Sequence, residues 1–193
     1  MDDTDEPRAW THHGTRRGPD LRLFQVRFDD LENPRTGEVL ERLVLETPDW
    51  VNVVALTPER DVVLVRQWRF GSRSNTLEIP GGMVDPGEEH RAAAERELRE
   101  ESGYTAQSWR YLGSVLPNPA IHDNRLHMWL AEGCRPGGPP ELDPGEDIQV
   151  LTLPLAEVLE AATDGRIEHS LVLCALMRVA GLRTPGTGAP GSV

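Results

Sequence analysis

Glu97, Glu100 and Glu101 stand at i, i+3 and i+4 of one segment, a spacing that puts three carboxylates on one side of a helix. At about 100° per residue, Glu97 and Glu101 are roughly 40° apart and Glu100 lies roughly 60° to the other side. Like charges so placed destabilise a helix by a few tenths of a kcal/mol per pair. A hard divalent cation offsets that cost, and such ions in turn seek phosphate oxygens. The competing reading is a solvated acidic face, from which charge pattern alone does not distinguish a cation site.

The elements that must hold these groups can be read outward from them. The segment is rich in Ala, Glu, Arg and Leu, good helix formers, and predicts a helix from about Glu88 to Ser102. Asp85 is the expected N-cap, with Pro86 in the first turn and Glu88 as the far half of a capping box. Gly103 is placed to end the helix in the left-handed region. Ala94 and Leu98 fall on a flank that can pack on a core, Arg96 falls beside Glu100, and Ala92, Glu95, Arg99 and Ser102 are left for solvent. Upstream, Thr76–Pro80 reads as a short strand delivering the chain into Gly81-Gly82, where missing side chains allow close backbone approach. Glu78 is acidic within that apolar strand and needs a partner, Arg96 or a nearby arginine.

The complete spacing is more specific than any of its parts. Gly82, Glu88, Arg96-Glu97-Leu98, Glu100-Glu101 and Gly103 recur at fixed intervals. At ~6% average usage per type, coincidence at the seven positions other than Leu98 has a probability on the order of 10⁻⁹ per start position. The pattern resembles the Nudix box, with Tyr104 departing from the aliphatic residue usual at its last place. The resemblance implies an α+β Nudix fold, a mixed β-sheet sandwiched between helices, and hydrolysis of a nucleotide diphosphate linkage. Glu97, Glu100, Glu101 and the Gly81 carbonyl would hold Mg²⁺ or Mn²⁺, and Arg96 would lock the glutamates in place.

Composition agrees. A chain of 193 residues can bury a sizeable core. Its net charge of −12 argues against a nucleic-acid surface. A nucleotide ligand is still compatible, because cations bridge carboxylates to phosphate. All 20 basic residues are Arg, which excludes lysine-based chemistry. Cys134 and Cys174 have neither CxxC nor paired His spacing, so a reducing compartment is expected over zinc or a disulfide. No apolar run of membrane length and no signal pattern is present, so the expectation is a cytoplasmic protein.

Residues 1–20 are polar and predict a flexible arm. Residues 21–46 alternate around an Asn33–Gly37 turn and predict a β-hairpin extension. The hydrolase domain is expected over 47–182 and a disordered tail over 183–193. Similar hairpins in the ADP-ribose pyrophosphatase branch cross to a partner protomer, so the resemblance implies a homodimer. It also assigns Arg69 to the substrate phosphates, against a solvated arginine on a sheet rim. Trp50 and Trp68 offer aromatic faces to a base, against packing in a core or interface. Pro119 lies 16 residues beyond Gly103, as in relatives acting on ADP-ribose and similar nucleotide sugars. In several relatives the loop after Leu116 offers a Glu as metal ligand or base; here it has none, and among His122, Asp123 and His127 the expected base is Asp123, against a turn-capping role. The acidic run Glu141–Asp147 reads as a solvated loop, against one that holds metal. The expected reaction is cleavage of ADP-ribose or a related nucleoside diphosphate sugar into a nucleoside monophosphate and a sugar phosphate. The alternatives are a Nudix enzyme for an oxidised nucleoside triphosphate and a non-hydrolysing nucleotide-sugar sensor.

Overall fold

A computed structural model describes residues 6–181. The expected tail at 183–193 and the first five residues of the expected arm lie outside the described residues. The chain divides into two units, one comprising residues up to Pro48 with Leu116–Asn124, the other Asp49–Val115 with the chain from Arg125 onward.

The first unit is a three-stranded antiparallel sheet of β1 (Thr11–Asp20), β2 (Gln25–Glu32) and β3 (Val39–Glu46), in that order. The arm expected over residues 1–20 is therefore corrected: its second half is a strand. β1 carries no apolar alternation because neither of its faces is buried; it is held by its ladder to β2 and by side-chain pairs. His13 meets Glu32 at 2.8 Å, Arg16 meets Glu41 at 2.9 Å and lies over the Phe28 ring, and Arg17 pairs with Glu46. The alternation at Leu21 and Leu23 marks no strand. The Leu21 amide donates to the Phe24 carbonyl at 2.8 Å and Arg22 adopts a φ of 69°, so these residues form the turn between β1 and β2. Leu116–Asn124 joins this unit through Leu45, whose amide donates to the Ile121 carbonyl at 2.7 Å.

The second unit contains β4 (Trp50–Leu56), β5 (Asp61–Arg69), β6 (Ser74–Glu78), β7 (Gly81–Met83), α1 (His90–Ser102), β8 (Tyr104–Thr105), β9 (Ser108–Val115), β10 (Leu126–Glu132), β11 (Arg135–Pro136), β12 (Ile148–Pro154), α2 (Leu155–Asp164) and α3 (Ser170–Ala180). Its main sheet runs β12-β5-β4-β10-β9, with β4 and β10 parallel and the other pairs antiparallel, so the sheet is mixed. β4 is almost wholly apolar because both of its faces are covered. Val51, Val53 and Ala55 pack with Ala93, Ala94 and Leu98 of α1. Val54 and Leu56 share the opposite core with Val172, Ala175 and Leu176 of α3. This is the expected sheet between helices.

One irregularity of the sheet creates the site. β4 pairs with β5 only at Ala55 and Leu56, and its first half pairs with the short β7 instead, Trp50–Asn52 opposite Gly81–Met83. The sheet thus opens between β4 and β5 where the glycine pair enters. Among the described residues no helix is long and apolar enough to cross a membrane.

Candidate active site

α1 starts later than its capping signals suggest. Asp85 and Glu88 bond to each other across a turn, the Glu88 amide to the Asp85 carbonyl at 2.9 Å and the Asp85 amide to Glu88 Oε2 at 3.1 Å. The helix begins at His90, with Glu89 in the N-cap position and no side-chain cap. Glu88 is thereby free to serve Arg96, which it meets side-on through Nε and Nη2 at 3.1 and 3.0 Å. Arg96 also donates to Glu97 at 2.8 Å, Glu100 at 3.2 Å and the Met83 carbonyl at 2.9 Å. One guanidinium fixes three carboxylates and the end of β7, a fork geometry that lysine could not supply. The helix closes as expected at Gly103, φ 73°. A β-carbon there would lie 2.2 Å from the Gly138 carbonyl oxygen. Ser102, expected in solvent, is buried instead, donating to the Leu98 carbonyl and accepting from the Tyr104 amide.

The three carboxylates separate into a pair and an outlier. Glu101 is 4% exposed and accepts the Gly81 amide at 2.9 Å. Glu97 rests against Gly82, where an added β-carbon would lie 2.4 Å from its Oε1. Both therefore converge on consecutive residues of β7. Glu100 does not join them; its oxygens go to Arg96 and, at 3.0 Å, Arg99. Burial raises the Glu101 carboxyl to about 8, aided by the charges of Glu97 and Glu146 and opposed by the Gly81 amide. Burial also raises Glu97, against the pull of Arg96. Glu101 in particular is a buried carboxyl met by an amide and not by a guanidinium, an environment that a bound cation would favour.

Among the described residues no three His, Cys, Asp or Glu side chains are placed together to hold a metal ion. Two carboxylates are nevertheless what Mg²⁺ uses when substrate phosphates and waters complete its octahedron. The all-oxygen donor set of Glu97 and Glu101 fits that ion and not a soft one. The carbonyl is the expected ligand of Gly81; the group of Gly81 that engages the site in this structure is its amide.

Beside the glycines lies a cavity of ≈ 730 Å³, with Trp50, Asn52, Arg69, Glu78 and His169 in its wall. The carboxylates of α1 do not line it; it abuts them through Gly81 and Gly82. Trp50 is thus at the cavity, as a substrate contact requires, while Trp68 is half-exposed on β5. Arg69 also reaches the cavity, but its Nε and Nη2 are committed to the two oxygens of Glu78, each at 2.7 Å. The partner of buried Glu78 is therefore Arg69, not Arg96. Burial would raise the Glu78 carboxyl, but Arg69 and Thr76 outweigh it and hold it below its ordinary value.

Asp123 and Pro119 belong to the first unit. The Asp123 carboxylate lies 3.5 Å from Arg27, which also holds Asp29 and Glu46. The structure thus gives Asp123 a cation partner in Arg27. Pro119 is exposed in the turn in which the Ile121 and His122 amides return to the Asn118 carbonyl. The acidic loop, expected to be merely solvated, bears on the site as well. The Glu141 amide bonds the Glu100 carbonyl at 2.8 Å, and the Glu146 charge bears on Glu97, Glu101 and Arg69.

Residues 47–176 match the family model for the NUDIX domain. The chain belongs to the Nudix family. It is similar to the ADP-ribose pyrophosphatases of Bacillus subtilis, 31% identical over 72% of this chain and 75% of that one, and of Mycobacterium tuberculosis, 30% identical over 84% and 79%. A methanol dehydrogenase activator of Bacillus methanolicus is 32% identical over 80% of this chain and 84% of its own. A crystal structure of an ADP compounds hydrolase superposes with a TM-score of 0.80 over 92% of this chain and 96% of that one, at 24% identity, which bears on the fold. With its box carboxylates intact, this Nudix chain is a pyrophosphohydrolase.

Proposed function

We propose that the protein hydrolyses the diphosphate linkage of ADP-ribose or a closely related nucleoside diphosphate sugar, with Mg²⁺ held by Glu97 and Glu101. The observation that carries this reading is the pair of half-buried Glu97 and buried Glu101 seated on Gly81-Gly82, next to a cavity large enough for a sugar nucleotide. When bound, the cation neutralises phosphate charge and acidifies a coordinated water. Arg96 keeps Glu97 oriented and offsets the repulsion of three neighbouring carboxylates. Glu146, on the acidic loop, takes the proton of the attacking water, the role expected of Asp123. The water oxygen bonds to one phosphorus as the bridging P–O bond breaks. A nucleoside monophosphate and a sugar phosphate are released.

A panel of ADP-ribose, other nucleoside diphosphate sugars and nucleoside triphosphates, each with Mg²⁺, tests this by the phosphomonoesters released. The diphosphate sugars should be turned over at least about tenfold more efficiently than the triphosphates. Preference for a triphosphate would transfer the assignment to a different Nudix substrate. No turnover of any member, with ADP-ribose still bound, would indicate a sensor.

The first unit supports association of two copies. Val39 and Leu43 of β3, with Leu21 and Leu23 of the β1–β2 turn, expose apolar surface on this small unit. Sedimentation equilibrium at micromolar concentration should return twice the 21.5 kDa chain mass; a monomer would remove the homodimer.

A further inference from the structure

Alternation along β4 sends Val51 and Val53 to the α1 side and leaves Asn52 on the side of α3, whose N-cap residue is His169. Both side chains line the ≈ 730 Å³ cavity. Asn52 is 9% exposed, and its Nδ2 finds no hydrogen-bond partner among the described residues. The Nδ1 of His169 is likewise buried without one, while its Nε2 faces Glu78 at 3.9 Å. Two orphaned polar atoms in one cavity wall are costly, since an unpaired buried donor or acceptor forfeits its hydration without compensation. Nothing in the packing of β4 calls for Asn at this place, where Val, Ala and Leu fill the rest of the strand's buried length.

We propose that Asn52 and His169 form a sugar-reading subsite, binding the vicinal hydroxyls of the sugar attached to the scissile diphosphate. This rests on the diphosphate-sugar reading above and names the residues that select the sugar. The position of Asn52 assigns the group. Asn52 stands opposite Gly81 in register, and its Oδ1 lies so near that a β-carbon on Gly81 would be 2.5 Å away. The Gly81 amide is itself bonded to Glu101. A ligand whose diphosphate is drawn to a cation at Glu97 and Glu101 therefore has its next covalent group, a sugar, beside Asn52; a base is one sugar further off. A hydroxyl both donates and accepts, so it satisfies the Asn52 amide and either tautomer of His169. Arg69 neutralises Glu78 across the same wall, which leaves the subsite suited to a neutral polyol and not to a further anion.

The test compares wild type, Asn52→Ala and His169→Ala on ADP-ribose and on two analogues, one lacking the vicinal hydroxyls of the adenosine ribose, the other those of the terminal ribose. Each substitution should lower kcat/KM for ADP-ribose by about tenfold, mainly through KM. With one of the analogues, wild type and variants should be equal, since the bond is already lost. Asn52→Ala should melt no lower than wild type, because it removes an unsatisfied donor, a result that a purely structural Asn52 would reverse. Equal losses on all three substrates in both variants, or a lower melting temperature with unchanged preference, overturn the subsite. Wild-type failure on every diphosphate sugar overturns the proposed reaction instead, and the same ratios read as Kd by calorimetry still decide the subsite.

Discussion

Replacing Glu101 by Gln should remove most turnover, by roughly 10²–10³-fold, and at the same time raise the melting temperature of the metal-free protein above about pH 8. The two effects have one cause. Burial lifts the folded-state carboxyl to about 8, whereas in the unfolded chain it titrates near the ordinary Glu value of about 4.3. Between those values the folded state holds a proton that the unfolded state has released. Stability therefore falls as pH rises through that window, by an amount on the order of a few kcal/mol, and stays low above it. Gln keeps an oxygen for the Gly81 amide but never ionises, so the variant escapes the loss. Its melting temperature in chelator should be nearly flat from about pH 5 to 9, while that of wild type declines. Mg²⁺ should restore the wild type at high pH and leave the variant unmoved, because a ligand stabilises only the state it binds. Differential scanning fluorimetry across pH, with chelator or Mg²⁺, reads all four curves. A wild type that melts independently of pH, or a variant that keeps full turnover, would remove Glu101 from the cation site.

That carboxylate pair is also the part of the site most legible in the sequence. Helical period alone places Glu97 and Glu101 together, and Gly103 terminates α1 as its residue type requires. The separation of Glu100 is not legible, because it depends on where Arg96 and Arg99 reach. The Arg69–Glu78 pair requires the β5–β6 register, which sets Gln67 opposite Thr76 and leaves the two charged residues to meet across the strands. β1 gives no signal because period-2 alternation reports a buried face, and this edge strand has none. The converse error falls on Leu21 and Leu23, whose alternation belongs to an exposed turn. Glu146 is hidden differently. Its loop reads locally as a solvated acidic run, and it takes contacts distant in the chain, the Glu141 amide on the Glu100 carbonyl and the Glu141 carboxylate near Arg99, to show it drawn toward α1. Charge patterns identify candidates; which one acts depends on contacts far apart in the chain.

The glycine pair gives the sharpest separation of folding from chemistry. Gly81→Ala should fail to fold well, whereas Gly82→Ala should fold and lose activity. Backbone strain plays no part, since neither glycine adopts a positive φ. What differs is the obstacle. At Gly81 the new methyl would lie 2.2 Å from the Val51 carbonyl oxygen and 3.1 Å from the Asn52 Cα, both main-chain atoms of the central strand. β4 is packed on both faces, so it has nowhere to retreat. The β4–β7 pairing must open, with a cost of several kcal/mol and a fall in melting temperature of about 10 °C or more, as overpacking of a rigid core produces. At Gly82 the three atoms nearest the methyl all belong to the Glu97 carboxylate, at 2.4, 2.6 and 2.8 Å. That group ends a flexible side chain and can swing aside. The fold should survive with a melting temperature within a few degrees of wild type, but Glu97 would be turned from its place beside Glu101. Turnover should fall by about 10²-fold, with a matching rise in the Mg²⁺ concentration needed for half-maximal rate. Measuring Mg²⁺ dependence and thermal melting on both variants distinguishes the outcomes. A Gly82→Ala protein with wild-type Mg²⁺ dependence would show that the Glu97 carboxylate does not need the position this structure gives it, and the cation site would have to be sought elsewhere on α1.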